Sequence, residues 1–390
     1  CALFGGLLKD IPMLRIIVSV KERTLAMCKT EIGSEFWTGC TPKSHYEYTM
    51  QPSAIYDTHW FNIVETLSGR TALEHIVEIL RRQGKKTAIL PSYCCHTMIE
   101  PFLTHGIDVS FYDVQLSSKG IHRLIDTKGD YDALLLLDYF GHIDVETIEL
   151  AQKAKCDRKT VIYDATHSLY SPIITEPYDF IYGSYRKWID VNCGFVAWKK
   201  ERSYGEISQN ENNKRYALIR EEIFDKKESY IKRGNVKKEE FLDLIEIAET
   251  ILETEYHHKI PDKRSMEVLK TADASYIQTR RMENARVLTE AINELDAPIV
   301  RCLNSHLNTL DVPLFVPVLV QPEKRNSLRG YLIKNKIYCP VHWPLSSIHD
   351  EMSGSKQLFE SELSLICDQR YGVDDMKRIA RAIDDYLKKN

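Results

Sequence analysis

Apolar residues between positions 68 and 200 alternate between helical and strand spacing. A helix is predicted to begin after Ser68 and to end at Gly84, because apolar residues there recur at i, i+3, i+4 and i+7. These residues are Leu73, Ile76, Val77 and Leu80. Short apolar runs predict buried strands at 87–90, 109–112, 133–138, 161–164, 180–182 and 194–198. Since strands and helices alternate, we predict an α/β fold with a doubly wound, mainly parallel sheet.

The pattern changes from about residue 205. Mixed charge between 225 and 240 predicts exposed helix faces rather than a functional basic patch. A small α+β domain is predicted from four later features: a helix near 276–295, the apolar run 313–320, a short strand at 337–339 and a helix near 376–387. We therefore expect an N-terminal extension and arm (1–45), a large domain (46–275) with a charged helical insertion near 205–260, and a small C-terminal domain (276–390). Met27 is a candidate native start.

Composition excludes two classes of partner. The chain has 390 residues and a formal net charge of -4, and no basic, aromatic-interleaved stripe that would indicate nucleic-acid binding. No apolar run approaches the length of a membrane span. The 10 cysteines are scattered without paired metal-ligand spacing, which favours reduced thiols and a cytoplasmic protein.

The candidate chemistry lies at the ends of predicted strands. Lys187 follows a strand by one turn and comes three residues after Ser184, while Asp164 ends an earlier strand. A lysine at such a place can form a Schiff base with a carbonyl cofactor. Ser68-Gly69 begins a helix, where free N–H groups attract phosphate. Each feature alone is ordinary: a surface turn, a strand-end cap or a helix cap. Together they indicate pyridoxal 5'-phosphate, a phosphorylated carbonyl cofactor with a protonated ring nitrogen.

From about residue 32 onward the chain resembles the DegT/StrS family of sugar-nucleotide aminotransferases, which have fold type I of the pyridoxal-phosphate enzymes. The resemblance rests on the segments 32–37, 68–73, 91–93, 164–167, 184–187 and 338–344. It implies a large domain with a doubly wound sheet and a small C-terminal α+β domain. It also implies a homodimer; the segment 93–102 and Phe36-Trp37 are candidates for its interface, or else pack inside their own subunit.

The resemblance also implies roles for individual residues. Lys187 would bind the cofactor covalently and Asp164 would pair with its ring nitrogen, and these two are the expected catalytic residues. Residues expected around the rest of the cofactor are Gly69, Arg70 and Ser184 at the phosphate, His167 at the ring hydroxyl, and Cys95 or His96 at the face of the ring.

The expected function is transfer of an amino group from an amino acid to a keto sugar linked to a nucleotide. Another pyridoxal-phosphate reaction on a non-sugar substrate, such as decarboxylation or elimination, is the alternative within enzymes. A catalytically silent homologue with a binding role is the alternative outside them, although the intact Lys187 disfavours it. No metal is assigned, because the adjacent His257 and His258 near Glu255 would point in different directions on a helix.

Overall fold

A computed structural model of the chain describes residues 31–44, 61–117, 120–295, 297–345, 349 and 352–389. Most of the expected N-terminal extension, including Met27, lies outside these ranges. Within them, no helix combines the length and apolar character needed to cross a lipid bilayer.

The described elements are numbered in chain order. The strands are β1 (Ile32–Gly33), β2 (Phe61–Thr66), β3 (Thr87–Pro91), β4 (Asp108–Ser117), β5 (Gly120–Leu124), β6 (Ala133–Leu137), β7 (Thr160–Asp164), β8 (Phe180–Ser184), β9 (Gly194–Lys199), β10 (Val300–Cys302), β11 (Phe315–Val320), β12 (Ile337–Tyr338) and β13 (Glu362–Ile366). The helices are α1 (Gly69–Arg82), α2 (His96–Thr104), α3 (Val145–Cys156), α4 (Lys214–Arg233), α5 (Lys238–Thr254), α6 (Lys263–Thr271), α7 (Ala274–Asn293), α8 (Pro322–Lys334), α9 (Ser353–Ser361) and α10 (Val373–Leu387). Two short 3-10 turns cover Tyr139–Gly141 and Tyr185–Lys187.

The largest sheet has eight strands in the order β2-β9-β8-β7-β6-β3-β4-β5. Its five inner strands β8, β7, β6, β3 and β4 are parallel to their neighbours within that group. The strands β9 and β5 join this group antiparallel, and β2 pairs antiparallel with β9. The predicted α/β fold with a mainly parallel sheet is therefore confirmed. All five residues of β6 are buried, as expected for a strand covered on both faces.

The helix α1 forms for the reasons that the sequence indicated. Ser68 caps it in an extended conformation, and its side chain accepts a hydrogen bond from the Thr71 N–H. The apolar residues at helical spacing are all buried in the core beneath the sheet. Two arginines in the last turn oppose the negative end of the helix dipole.

A second core lies around the antiparallel sheet β10-β11-β13 and contains side chains from α7, α8 and α10. The strand β1 pairs in parallel with β12, so that Ile32 belongs to this second core. Farther along the described N-terminal segment, Phe36 and Trp37 are buried, and the guanidinium of Arg370 lies over both rings. In the segment 93–102, Tyr93 and Phe102 are fully buried in the same chain. These aromatic residues therefore pack inside their own subunit.

Candidate active site

The carboxyl ends of β7 and β8 bring the predicted chemistry together. Asp164 is the last residue of β7, and Ser184 is the last residue of the neighbouring parallel strand β8. Lys187 ends the 3-10 turn that follows β8. The start of α1 lies at the same edge, because a β-carbon placed on Gly69 would come within 3.2 Å of the Ser184 Cβ. Ligands of parallel α/β sheets bind at this edge.

The start of α1 and the end of β8 form a small anion cradle. The helix leaves the N–H groups of its first two residues, Gly69 and Arg70, without intrahelical acceptors, and the helix dipole makes this end positive. The Ser184 side chain lies beside them and makes no capping hydrogen bond of its own. Gly194 allows β9 to pass close by, because a β-carbon there would lie 2.4 Å from the Ser68 carbonyl carbon. The donors and the close backbone approach fit a phosphate group.

The side chain of Arg70 points away from this cradle. Its guanidinium pairs with Glu100 of α2 at 3.1 Å and lies 5.0 Å from the centre of the Tyr256 ring. The backbone N–H of Arg70, rather than its charge, is therefore the group that the helix start offers to an anion.

Asp164 is a buried carboxylate held in a fixed orientation. It is 5% exposed, and its oxygens accept hydrogen bonds from the Thr166 N–H at 2.8 Å and from the Tyr182 hydroxyl at 2.9 Å. Burial raises the pKa of Asp164 above its ordinary value, although these hydrogen bonds and the charge of Lys187 act in the opposite direction. A cationic partner would stabilise the ionised form, so the site suits a protonated ring nitrogen.

Lys187 carries a free amine at this edge. Its side chain is exposed, and it forms no ion pair or hydrogen bond with the residues that the structure describes. Its charge nevertheless acts on Asp164 and on Glu249. The preceding Arg186 is occupied, because its guanidinium pairs with Glu249 at 2.5 Å. The amine of Lys187 is therefore unengaged in the described part of the chain, and its charge is felt by the Asp164 carboxylate.

His167 is buried and neutral. Its Nδ1 accepts a hydrogen bond from the Phe140 N–H at 3.1 Å, so that its proton resides on Nε2. Burial lowers the pKa of His167 well below its ordinary value, and the charges of His342 and Lys187 lower it further. Trp343 stacks on the imidazole with ring centres 5.1 Å apart. The ring is thus held in one tautomer, with Nε2 as a hydrogen-bond donor.

The two candidates for the ring face differ in their surroundings. Cys95 is half-buried before the first residue of α2, and its sulfur accepts a hydrogen bond from the Thr97 hydroxyl at 3.2 Å. Burial raises the pKa of Tyr182, with contributions from Asp164 and then from Cys94 and Cys95, so the cysteine pair lies near the Asp164–Tyr182 contact. His96 is exposed. Of the two candidates, Cys95 is therefore the one near the Asp164–Tyr182 contact.

The sequence pattern did not indicate Tyr182 or the stacking role of Trp343. Tyr182 pairs in register with Asp164 across β7 and β8, and it lies two residues before Ser184. Side chains two residues apart share a face of a strand, so the position of Ser184 could have identified Tyr182. No comparable signal existed for Trp343, which reaches His167 from a segment more than 170 residues later.

The architecture is shared with solved structures of sugar aminotransferases. PseC of Helicobacter pylori, an aminotransferase involved in pseudoaminic acid biosynthesis, superimposes with a TM-score of 0.61 at 13% identity, covering 94% of this chain and 100% of that chain. NtdA of Bacillus subtilis, solved with bound PMP, gives 0.59 at 14% identity, covering 85% and 74%. The sugar aminotransferase CalS13 of Micromonospora echinospora gives 0.55 at 11% identity, covering 88% and 98%.

At these identities the likeness establishes a shared fold, and it confirms at that level the resemblance to sugar aminotransferases. No protein-family model matches the chain, and no curated protein matches it in sequence.

Proposed function

We propose that the chain is a pyridoxal-phosphate-dependent aminotransferase that moves an amino group from an amino acid to a keto sugar linked to a nucleotide. The observation that carries the proposal is the convergence of Lys187, the buried Asp164 and the anion cradle at one sheet edge. The fold supports the same reaction class, because solved sugar aminotransferases share it.

The residues at the edge fit the cofactor. The cradle of Gly69, the Arg70 N–H and Ser184 would hold its phosphate, and Asp164 would hold its ring nitrogen. When bound, pyridoxal 5'-phosphate supplies an aldehyde that receives the amino group and a ring that accepts the electrons released at the substrate carbon. The protein must then orient this ring, keep its nitrogen protonated and provide a base.

In the proposed mechanism, three side chains carry out these roles. Lys187, whose amine has no partner among the described residues, would hold the cofactor through its Nζ atom and would serve as the base that carries a proton at that atom. Asp164 keeps the ring nitrogen protonated, with Tyr182 and the Thr166 N–H holding its carboxylate in place. His167 donates from Nε2, which suits the anionic oxygen of the ring.

The amine donor and the acceptor can be tested separately with the purified protein. Candidate amino acids are added singly, and the visible absorption of the bound cofactor is followed. A true donor is expected to bleach it, and a keto sugar nucleotide is expected to restore it after the donor is removed. Bleaching by no amino acid would contradict the aminotransferase proposal. Release of carbon dioxide or of an elimination product would support the alternative pyridoxal-phosphate reactions, and lack of cofactor binding would support a silent homologue.

We also propose that the enzyme works as a cytoplasmic homodimer. The exposed Lys187 supports a second subunit, since the described part of one chain leaves its amine open to solvent. Every described cysteine is free, which supports a reducing compartment. Light scattering at decreasing protein concentration tests the dimer. A monomer that retains full activity would exclude a shared site.

A further inference from the structure

A second cluster of potential ligands lies along the middle of α1, away from the helix N-terminus. It contains His75, Glu78 and His258, and one potential ligand atom of each lies within 4.8 Å of the others. His75 and Glu78 are three residues apart on α1 and therefore share a face of the helix. His258 follows α5 and reaches this face, where its backbone N–H donates to Glu74 at 3.0 Å. None of the three belongs to the site described above.

His75 is the unusual member of this cluster, which we call the histidine cluster. Its side chain is 1% exposed, yet neither ring nitrogen has a hydrogen-bond partner among the described residues. The Nδ1 atom of His258, whose ring centre lies 5.6 Å away, is likewise buried without a partner. Buried polar atoms are normally satisfied, so the two unpartnered nitrogens of His75, beside the unpartnered Nδ1 of His258, indicate a missing ligand.

The spacing of the other two members suits a small cation. The Nε2 atom of His258 lies 3.3 Å from the Oε1 atom of Glu78. Two ligands bound at about 2.0–2.1 Å in a tetrahedral site lie about 3.3 Å apart. His105 adds a neighbour, because its Nε2 is 3.6 Å from the same Glu78 oxygen. Its Nδ1 donates to the Pro101 carbonyl at 2.9 Å, which leaves a lone pair on Nε2.

We propose that His75, Glu78 and His258 bind a divalent transition-metal ion of the zinc type. Two imidazoles and one carboxylate favour zinc and its neighbours over magnesium or calcium, which prefer oxygen ligands alone. Water would complete four-coordination. The side chains of Glu78 and His258 are 25% and 24% exposed, so the ion has a path from solvent.

The position of the ion would matter for the neighbouring site. His258 follows directly on residues 256 and 257, and the Tyr256 carbonyl accepts a hydrogen bond from the Thr71 hydroxyl in the first turn of α1. A metal ion at the histidine cluster would therefore link the segment after α5 to α1, the helix whose start forms the anion cradle. The proposed role of the ion is structural and lies outside the reaction itself.

The test uses untagged protein carrying its bound cofactor, stripped of metal with a chelator and then incubated with zinc chloride. After gel filtration, elemental analysis is expected to find one zinc ion per wild-type chain. Cobalt chloride serves as a second probe, since its visible spectrum reports coordination geometry. Glu78→Gln and His258→Gln are expected to weaken binding at least about tenfold. These positions are partly exposed, so the variants should fold, which circular dichroism checks.

His122→Gln is the matched control, because His122 is also an imidazole paired with a glutamate, Glu146, but lies outside the cluster. It is expected to bind zinc like the wild type. Equal zinc retention in all three variants, or no retained zinc in the wild type, would overturn the proposal. The cofactor absorbance of each variant is recorded in parallel. An altered metal content with unchanged absorbance separates this site from the proposed catalytic one.

Discussion

Substitution of Gly194 by alanine offers the sharpest test of how the anion cradle is built. Gly194 begins β9 directly beside the start of α1. A β-carbon there would lie 2.4 Å from the Ser68 carbonyl carbon and 2.6 Å from the Gly69 nitrogen. Both are backbone atoms, so no side-chain rotation can relieve the clash. The strand and the helix start must instead move apart by about 1 Å to reach ordinary contact.

This displacement sets the expected magnitudes. Overpacking of a well-packed interior costs about 1–3 kcal/mol of unfolding free energy. A shift of this size also misaligns the N–H groups of Gly69 and Arg70 with a phosphate. Loss of one hydrogen bond to a charged group costs about 1.5–3 kcal/mol. We therefore expect cofactor affinity to fall about 10- to 100-fold.

Two further glycine-to-alanine variants provide controls for the same chemical change. A β-carbon on Gly330, inside α8, would meet no atom within 4 Å. Gly330→Ala is expected to raise stability by about 0.5–1 kcal/mol and to leave cofactor affinity unchanged. Gly69→Ala, with its 3.2 Å approach to the Ser184 Cβ, is expected to lie between the two. Urea unfolding and fluorescence titration with pyridoxal 5'-phosphate measure the two quantities.

Two outcomes for Gly194→Ala would refute parts of the reasoning. Wild-type stability would mean that α1 is not held against β9 as described. Reduced stability together with wild-type cofactor affinity would support the described packing of α1 against β9. The same result would exclude the anion cradle as the phosphate site.

Substitutions at Lys187, Asp164 and His167 test the remaining roles. Lys187→Ala is expected to lose the visible cofactor absorption and to abolish turnover. Its unfolding free energy is expected to change little, since the exposed amine has no partner among the described residues. Absorbance that survives dialysis would assign the covalent link to another lysine. Asp164→Asn is expected to fold but to lose most of the half-reaction rate, because an amide cannot keep the ring nitrogen protonated; stopped-flow rates near wild type would make Asp164 a structural cap. His167→Gln is expected to lose less unfolding free energy than the wild type between pH 7 and pH 5. The native pKa of His167 lies well below the ordinary value of 6.5, so the unfolded chain binds this proton first and acidification favours unfolding; equal losses would contradict a buried neutral imidazole.

The sequence by itself determined the local elements and the positions of the reactive groups along the chain. Apolar spacing identified α1 and the buried β6, because a helix and a strand repeat their faces with different periods. It also placed Asp164 and Ser184 at strand ends, and parallel strands bring such ends to one edge.

Only the tertiary structure decided which faces meet. The hydroxyl of Tyr182 reaches Asp164 through strand pairing, and Trp343 reaches His167 from a distant segment. From the sequence, His258 was considered only together with its neighbour His257. In the structure it lies beside His75 and Glu78, which come more than 170 residues earlier in the chain. Periodicity states which side of an element is buried, but not which other element covers it. Those long-range contacts are set by the packing of the whole chain, and they determine how each reactive group is oriented.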